Sequence, residues 1–252
     1  MIRVGLSIIT PCYNSEKTIK DTLLSVERQG IAELEHIIID GGSTDGTMGI
    51  ISEYHDRVPY DVQIISEPDN GIYDAMNKGI RMATGDLVGI INSDDWYEDD
   101  ALAVIRAAYT GDEHEIIYGM IRIYDRPDGS DDDQIRSVEF YHHDFLLDRM
   151  INHPGCFVTA ACYRDYGLFD LKYKSSADYA WMKHAFDEGV LFTPVYDVLA
   201  NVRAGGMSGS NLGFRETLKL QHEWGRISTG YYLAYDLKSR IGDVIHKIRG
   251  RR

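Results

Sequence analysis

Asn92-Ser93-Asp94-Asp95 sets two carboxylates side by side, just after a short apolar run and ahead of an apolar helical segment, Ala101–Tyr109. Hard oxygen donors at a rigid strand end suit Mg²⁺ or Mn²⁺ held jointly with phosphate oxygens. Asp94 or Asp95 would equally cap a turn, a common use of aspartate. Asp40 closes another apolar run and offers an acceptor for nucleobase or ribose hydrogen bonds. Gly41-Gly42-Ser43-Thr44-Asp45-Gly46-Thr47 follows it and looks like a phosphate loop, but without Gly-Lys-Ser/Thr it is not a Walker loop. No Gly-x-Gly-x-x-Gly follows the first apolar run, so ordinary dinucleotide binding has weak support.

These groups need a rigid frame. Leu6–Thr10, His36–Asp40, Val62–Ser66 and Leu87–Ile91 are short, rich in Ile and Val, and apolar nearly throughout. Such runs suit strands buried on both faces of a parallel sheet. Between them lie helical stripes: Ile19, Leu23 and Val26, then a segment toward Tyr54 that Thr44 is placed to cap, then Ile72, Met76 and Ile80. The repetition predicts right-handed crossovers and a Rossmann-like, doubly wound, mostly parallel α/β sheet with flanking helices. Ligands of such sheets bind beyond the C-terminal strand ends. The polar clusters fall there: Pro11–Asn14, Asp40–Ser43, Glu67–Asp69 and Asn92–Asp95.

Composition narrows the function classes. The chain has 252 residues, 44% of them hydrophobic and 26% charged, in the range of an ordinary globular protein. Twenty-six Lys and Arg against forty Asp and Glu give a net charge of −14. That field repels nucleic acid. It leaves room for a nucleotide ligand, because a bound divalent cation inverts the local sign. The three cysteines, Cys12, Cys156 and Cys162, form no Cys-x-x-Cys pair, so reduced thiols are expected rather than a disulfide framework or a zinc site. No stretch has the ~20 apolar residues of a membrane span, and the N-terminus lacks a signal-peptide pattern. The expected location is the cytoplasm.

The second half is less regular. Ile116–Ile123, Cys156–Thr159 and Leu191–Val195 read as strands, and Tyr179–Asp187 as a helix with Met182, Ala185 and Phe186 inward. Tyr124–Asp133 is acidic, with Pro and Gly, and reads as a surface loop rather than a metal cage. Without repeats or a low-complexity linker, residues 1–210 are expected to form one domain, with a nucleotide half (1–110) and an acceptor half (111–210). Residues 211–252 form a helical extension. Its end carries an apolar stripe, Leu237, Ile241, Val244, Ile245 and Ile248, beside six cations, Lys238, Arg240, Lys247, Arg249, Arg251 and Arg252. A basic amphipathic helix can lie on an anionic membrane surface, or simply pack on its own domain.

Thr10–Asn14, Asp40–Thr47 and Asn92–Asp95, taken together in this order and spacing, resemble glycosyltransferase family 2, which has the GT-A fold. Glu67–Gly79 is similar to that family's segment ahead of the metal motif. The likeness is strong over Leu6–Ala108 and thinner over Asn152–Ser210. It implies an inverting transfer of sugar from a nucleotide-sugar donor, with a uracil base, to a saccharide or polyprenyl-diphosphate-linked acceptor in surface polysaccharide synthesis. The enzyme would then work at the inner face of the cell membrane.

Residue roles follow from the same resemblance. Pro11 and Tyr13 would line the base pocket and Asp40 would bond the base. Asn14, Ser43, Asp69, Lys78 and Ser93 belong to the same donor site. Asn92 stands where the family usually has an Asp that contacts ribose. Asp94 would bind Mn²⁺ or Mg²⁺ and the diphosphate, with Asp95 in support. Asp178 matches the family's catalytic base, although Ala177 replaces the Glu before it; as a bare pattern, Asp178 also reads as a helix N-cap. Asp170 is a weaker candidate base. His153 falls on the acceptor side. Gly206 and Ser208, in Gly205-Gly206-Met207-Ser208, match a loop able to close over the diphosphate, and His222 is a remoter diphosphate candidate. Two rivals remain: a non-catalytic nucleotide-sugar-binding scaffold, favoured by Asn92 and Ala177, and a sugar nucleotidyltransferase, disfavoured because Pro11–Lys17 lacks a basic Gly-rich loop.

Overall fold

A computed structural model describes residues 4–31, 33–125, 134–205 and 210–249. The chain runs β1 (Leu6–Cys12), α1 (Ile19–Glu27), β2 (Leu34–Asp40), α2 (Thr47–His55), β3 (Asp61–Ser66), α3 (Ile72–Met82), β4 (Leu87–Ile90), β5 (Trp96–Tyr97), α4 (Ala101–Ala108), β6 (Glu115–Asp125), β7 (Gln134–Glu139), β8 (Cys156–Thr159), α5 (Ala160–Tyr166), α6 (Ala177–Asp187), β9 (Leu191–Arg203), α7 (Asn211–Glu223) and α8 (Thr229–Arg249). One sheet has the order β3-β2-β1-β4-β8-β6-β9-β5, with β7 on β6. The expected doubly wound fold is present.

β1 and β2 are buried along their whole length. This is why they read as unbroken Ile-rich runs. Side chains alternate between faces. Ile8 and Ile38 face α1, α2 and α4, while Ile9, Ile37 and Ile39 face α3 and α6. β2, β1 and β4 pair in parallel, and so do β2 and β3. Chain direction on either side of β1 therefore puts the topological switch point between β1 and β4.

Beyond β4 the sheet is mixed. β8 is antiparallel to both β4 and β6, and β9 is parallel to β6. β9 runs well past Val195 to Arg203. Its apolar pattern breaks at Pro194 and Asp197, where the pairing shifts register, and then resumes on β6 and β5. β5, β7 and α5 have too few patterned residues to stand out in the sequence. α2 starts at Thr47, not under a Thr44 cap. Asp45 Oδ1 accepts the Thr47 N–H (3.0 Å) and hydroxyl (2.6 Å), while the Thr44 N–H goes to Asn14 Oδ1.

The extension divides in two. α7 packs onto the core through Leu218 and Leu220. On α8, Leu237 is 59% exposed and Ile241 50% exposed, so that part of the stripe is not packed on the domain. Residues 126–133, the bulk of the acidic loop, lie outside the described residues. The three cysteines are buried free thiols. Among the described residues no helix is long and apolar enough to cross a membrane.

His36 on β2 is fully buried between Thr10 Oγ1 (2.9 Å) and the Tyr54 hydroxyl (2.7 Å). Burial lowers its pKa to about 3. The unfolded chain binds a proton there below about pH 6.5 and the folded chain does not, so this contribution to stability is lost as pH falls from there toward 3. His36→Gln should destabilise at pH 7.5. The gap to wild type should narrow by about 2 kcal/mol by pH 4.5, measured by urea unfolding. A gap independent of pH would refute a buried neutral imidazole.

Candidate active site

Beyond the C-terminal ends of β1 to β4 the loops are joined by polar bonds. Asn14 adopts φ +49°, a left-handed conformation that asparagine tolerates. Its N–H donates to Ser43 Oγ (2.7 Å) and its Oδ1 accepts the Thr44 N–H (2.9 Å). The Ser15 N–H meets Thr47 Oγ1 at 2.7 Å, and Ser15 Oγ meets Ser93 Oγ at 2.8 Å across the switch point. Ser66 Oγ donates to Asp40 Oδ2 at 2.6 Å. The polar strand ends thus converge on one place.

Asp40 shapes this place from within. Its carboxylate accepts the Ser43 hydroxyl, the Ser66 hydroxyl and the Gly42 and Ser43 N–H groups. Burial alone would raise its pKa, but these bonds outweigh burial and hold it below the usual carboxylate range. Its oxygens are occupied and closed to solvent, so in this state it orders the loop rather than facing a base. Pro11 is likewise buried, paired with Ile39 inside the sheet. Tyr13 is 61% exposed. A Cβ on Gly41 would lie 2.6 Å from Asp69 Oδ2 and 3.4 Å from the Tyr13 ring. Gly41 thus leaves the Asp69 and Tyr13 side chains room to lie beside it. Lys78 does not reach outward. Its ammonium donates to the Pro68 carbonyl (3.3 Å) and pairs with Glu67 (2.8 Å), bracing the loop that carries Asp69.

The paired carboxylates differ. Asp95 is 1% exposed, and its oxygens accept the Arg203 N–H (3.0 Å) and the Asn92 amide (3.0 Å). Burial, then the Asp94 charge, push it up to about 7 against the pull of Arg203, Asn92 and His153. Asp95, expected beside Asp94 at the metal, anchors the loop with one N–H donor on each oxygen. Asp94 is half-buried; burial raises its pKa, opposed by Arg203 and His153. Asn92 Oδ1 is buried with no hydrogen-bond partner. An orphaned amide oxygen beside a carboxylate is a hard donor set that fits Mg²⁺ or Mn²⁺. The atoms of His142, His143 and Asp144, in the turn after β7, also lie within 4.8 Å of one another. His143 Nδ1 there is already engaged by the Tyr118 hydroxyl at 2.9 Å.

On the acceptor side, α6 starts one residue ahead of Asp178, with Ser176 at the N-cap. Asp178 is therefore in the first turn and is not the cap. It is 3% exposed. Its Oδ1 accepts the Tyr73 hydroxyl (2.8 Å) and the Tyr179 N–H (2.9 Å), and its Oδ2 meets His153 Nδ1 at 3.1 Å. His153 and Asp178 thus form a buried pair in the acceptor half. Asp170 bonds Lys172. His222 bonds Thr229 and stacks on Tyr232, at the α7–α8 turn. Gly206 and Ser208 lie outside the described residues.

Two site residues had no motif to reveal them, and a third, Tyr73, lay in the Glu67–Gly79 segment with no role assigned. Arg203 donates to the Asp94 carbonyl (2.7 Å) and to Asp21 (2.7 Å), and lies 4.5 Å over the Trp96 ring. Glu216 on α7 accepts the N–H groups of Lys174, Ser175 and Ser176, fixing the entry to α6. Tyr73, on α3, orients Asp178. A cation ending a strand and an acid on an exposed helix are ordinary in sequence; only their partners mark them.

The sheet order is that of a GT-A fold, with Asn92 and Asp94 in the loop after β4 and a buried His153–Asp178 pair in the acceptor half. Residues 7–168 match the family described as glycosyl transferase family 2. A PGL/p-HBAD biosynthesis glycosyltransferase of Mycobacterium tuberculosis is 31% identical over 224 residues, covering 84% of this chain and 82% of that one. The chain belongs to glycosyl transferase family 2 and is a glycosyltransferase. Among solved structures, S. aureus TarS 1–349 in complex with UDP-GlcNAc matches with a TM-score of 0.68 at 20% identity, over 94% of this chain and 73% of that one. The longer TarS chain is spanned only to 43% of its length. The mannosyltransferase PcManGT from Pyrobaculum calidifontis, in complex with GDP-Man and Mn²⁺, matches with a TM-score of 0.65 at 18% identity, over 95% and 70% of the two chains. At these identities the structures establish the shared fold.

Arg203 ties β9 to the carboxylate loop, so Arg203→Ala should cost about 2 kcal/mol, the scale of losing charge-assisted bonds in a part-buried site. Urea unfolding at pH 7.5 measures it. An unchanged midpoint would show that the clamp adds nothing to stability.

Proposed function

We propose that the protein transfers a sugar, with inversion, from a UDP-sugar to a hydroxyl of a saccharide or polyprenyl-diphosphate-linked acceptor, in assembly of a cell-surface glycan. The observation that carries the reading is the buried His153–Asp178 contact at 3.1 Å in a family 2 fold whose β4 loop carries Asp94 and the unpartnered Asn92 Oδ1. The nucleotide half, 1–110, would hold the donor and the acceptor half, 111–210, the incoming hydroxyl. Relatives support the substrate class: the mycobacterial one is named for glycolipid biosynthesis, and TarS was solved with UDP-GlcNAc.

In this reading Tyr13 and Asp69 receive the base at the gap left by Gly41. Asn14, Ser43 and Ser93 keep the loops in register around the ribose and diphosphate. Asp94, with Asn92 Oδ1, would hold Mn²⁺ or Mg²⁺, which when bound neutralises charge on the departing nucleoside diphosphate. Asp95 keeps Asp94 in place through Arg203. Gly206 and Ser208 would close over the diphosphate. Asp178 supplies the negative charge that draws the proton from the acceptor hydroxyl.

Calorimetric titration of UDP, GDP and dTDP, with Mn²⁺ and with chelator, tests this directly. Metal-dependent binding of UDP is expected, and Asp94→Ala should abolish it. Folded protein that binds none of the three would overturn the reading.

We also propose that α8 brings the enzyme to an anionic lipid surface. Leu233, Leu237 and Ile241 are exposed at four-residue spacing, and Lys238 stands beside them. Apolar side chains flanked by cations suit that interface. Deleting the residues after Lys238 removes five further cations. Sedimentation with phosphatidylglycerol vesicles should fall several-fold, while UDP binding is kept. Equal sedimentation would return the tail to a structural role.

A further inference from the structure

We infer that His142, His143 and Asp144 form a binding site for Zn²⁺, apart from the carboxylate loop after β4. The inference does not depend on the transferase reading. It concerns the turn between β7 and β8, where His143–Phe145 make a short 3₁₀ helix.

The donor atoms are already gathered. His142 Nδ1 lies 3.1 Å from Asp144 Oδ2, and His143 Nε2 lies 3.7 Å from Asp144 Oδ1. One atom from each of the three residues falls within 4.8 Å of the others. Ligands on a tetrahedral zinc ion sit roughly 3.4 Å apart, so small side-chain turns close this set around one ion. Two imidazoles and a carboxylate are a zinc donor set with a position left for water, whereas Mg²⁺ and Mn²⁺ favour oxygen.

The hydrogen bonds of the turn point the same way. His142 Nδ1 accepts the Asp144 N–H at 3.4 Å, so it presents a lone pair there. The same nitrogen faces Asp144 Oδ2, so two acceptors meet. A cation between them satisfies both.

His143 is held by its other side. Its ring packs on Phe192 and Phe186, with centroids 5.3 and 6.2 Å away. Its Nδ1 meets the Tyr118 hydroxyl at 2.9 Å, and the same oxygen accepts its backbone N–H at 3.1 Å. A tyrosine oxygen has lone pairs for both groups. With the proton on Nδ1, Nε2 carries the ligating lone pair. Histidines on zinc are fixed in this way, by a partner on the other ring nitrogen. Tyr118 is itself rigid, fully buried on β6 and stacked on Phe140. The ligands are nonetheless open to solvent, with side chains of His142, His143 and Asp144 33%, 21% and 69% exposed. A bound ion would tie the β7–β8 turn to β6 through Tyr118 and brace the acceptor half.

Two measurements test the inference. Zinc chloride is titrated into wild-type protein labelled in histidine nitrogen and followed by NMR. One equivalent should shift His142 Nδ1 and His143 Nε2 and leave His143 protonated at Nδ1, while the same amount of Mn²⁺ leaves this pattern unformed. These nitrogens report on the turn alone, whatever zinc does at Asp94. Calorimetry should then show one zinc site lost when His142→Ala is combined with Asp144→Asn, and weakened about ten- to a hundred-fold in Tyr118→Phe. Histidine signals that do not move with zinc overturn the inference. So does zinc binding that is equal in the double variant and the wild type, or His143 protonated at Nε2 in the zinc-loaded protein. Zinc bound at this turn by a protein that binds no nucleotide would uphold the inference and refute the transferase reading, so the two fail separately.

Discussion

The site depends on managing two adjacent carboxylates in a chain that already carries excess negative charge. Asp94 and Asp95 repel each other, and burial penalises both. Arg203 answers both, its backbone N–H on the Asp95 carboxylate and its guanidinium on the Asp94 carbonyl. Because Arg203 ends β9, which pairs with β5 just after the two carboxylates, their charge is answered by a residue 109 positions further along the chain. The compensation is partial, leaving Asp94 as a half-buried carboxylate with raised proton affinity. Such a group gains most from a cation.

A second constraint is positional. Loops at four strand ends would drift by ångströms if each were held only by its own strand. Asn14, Ser15, Asp40 and Ser43 spend their polar atoms on one another and on Thr44, Thr47, Ser66 and Ser93. Several residues of the donor motifs are thus inward-facing framework. Asp40 and Lys78 are the plainest cases, each with its charge engaged by its own loop. Glu216 does the same for the acceptor side, capping the entry to α6 from α7. The C-terminal extension therefore belongs to the site's frame at α7, while α8, bonded to α7 through Ser239 and Arg215, leaves Leu233, Leu237 and Ile241 exposed.

Much of the fold was legible because its physics is local. Strands buried on both faces are apolar at most positions, so Ile37–Ile39 announces β2 without reference to any partner. α3 announces itself by a helical stripe over the same sheet. β5, β7 and the far half of β9 lacked such a signal. They are edge or mixed strands, short or interrupted by Pro194 and Asp197, and their stability comes from pairing with β6 and one another. Thr44 was misread as a cap because α2 starts later, with Gly46 at its N-cap and Asp45 accepting the Thr47 N–H.

Sequence alone determined the chemical vocabulary of this protein and the order in which it is used. Each motif sits within a few residues at the end of one patterned strand, and the switch-point rule says that such ends share a crevice. Tertiary structure decided the grammar. Tyr73 and Asp178 are 105 positions apart, and Arg203 and Asp94 are 109 apart. Periodicity records which face a residue takes and nothing about which distant residue it will meet. That meeting is fixed when the sheet orders its strands, and only then does a histidine in a proline turn become the partner of a buried carboxylate.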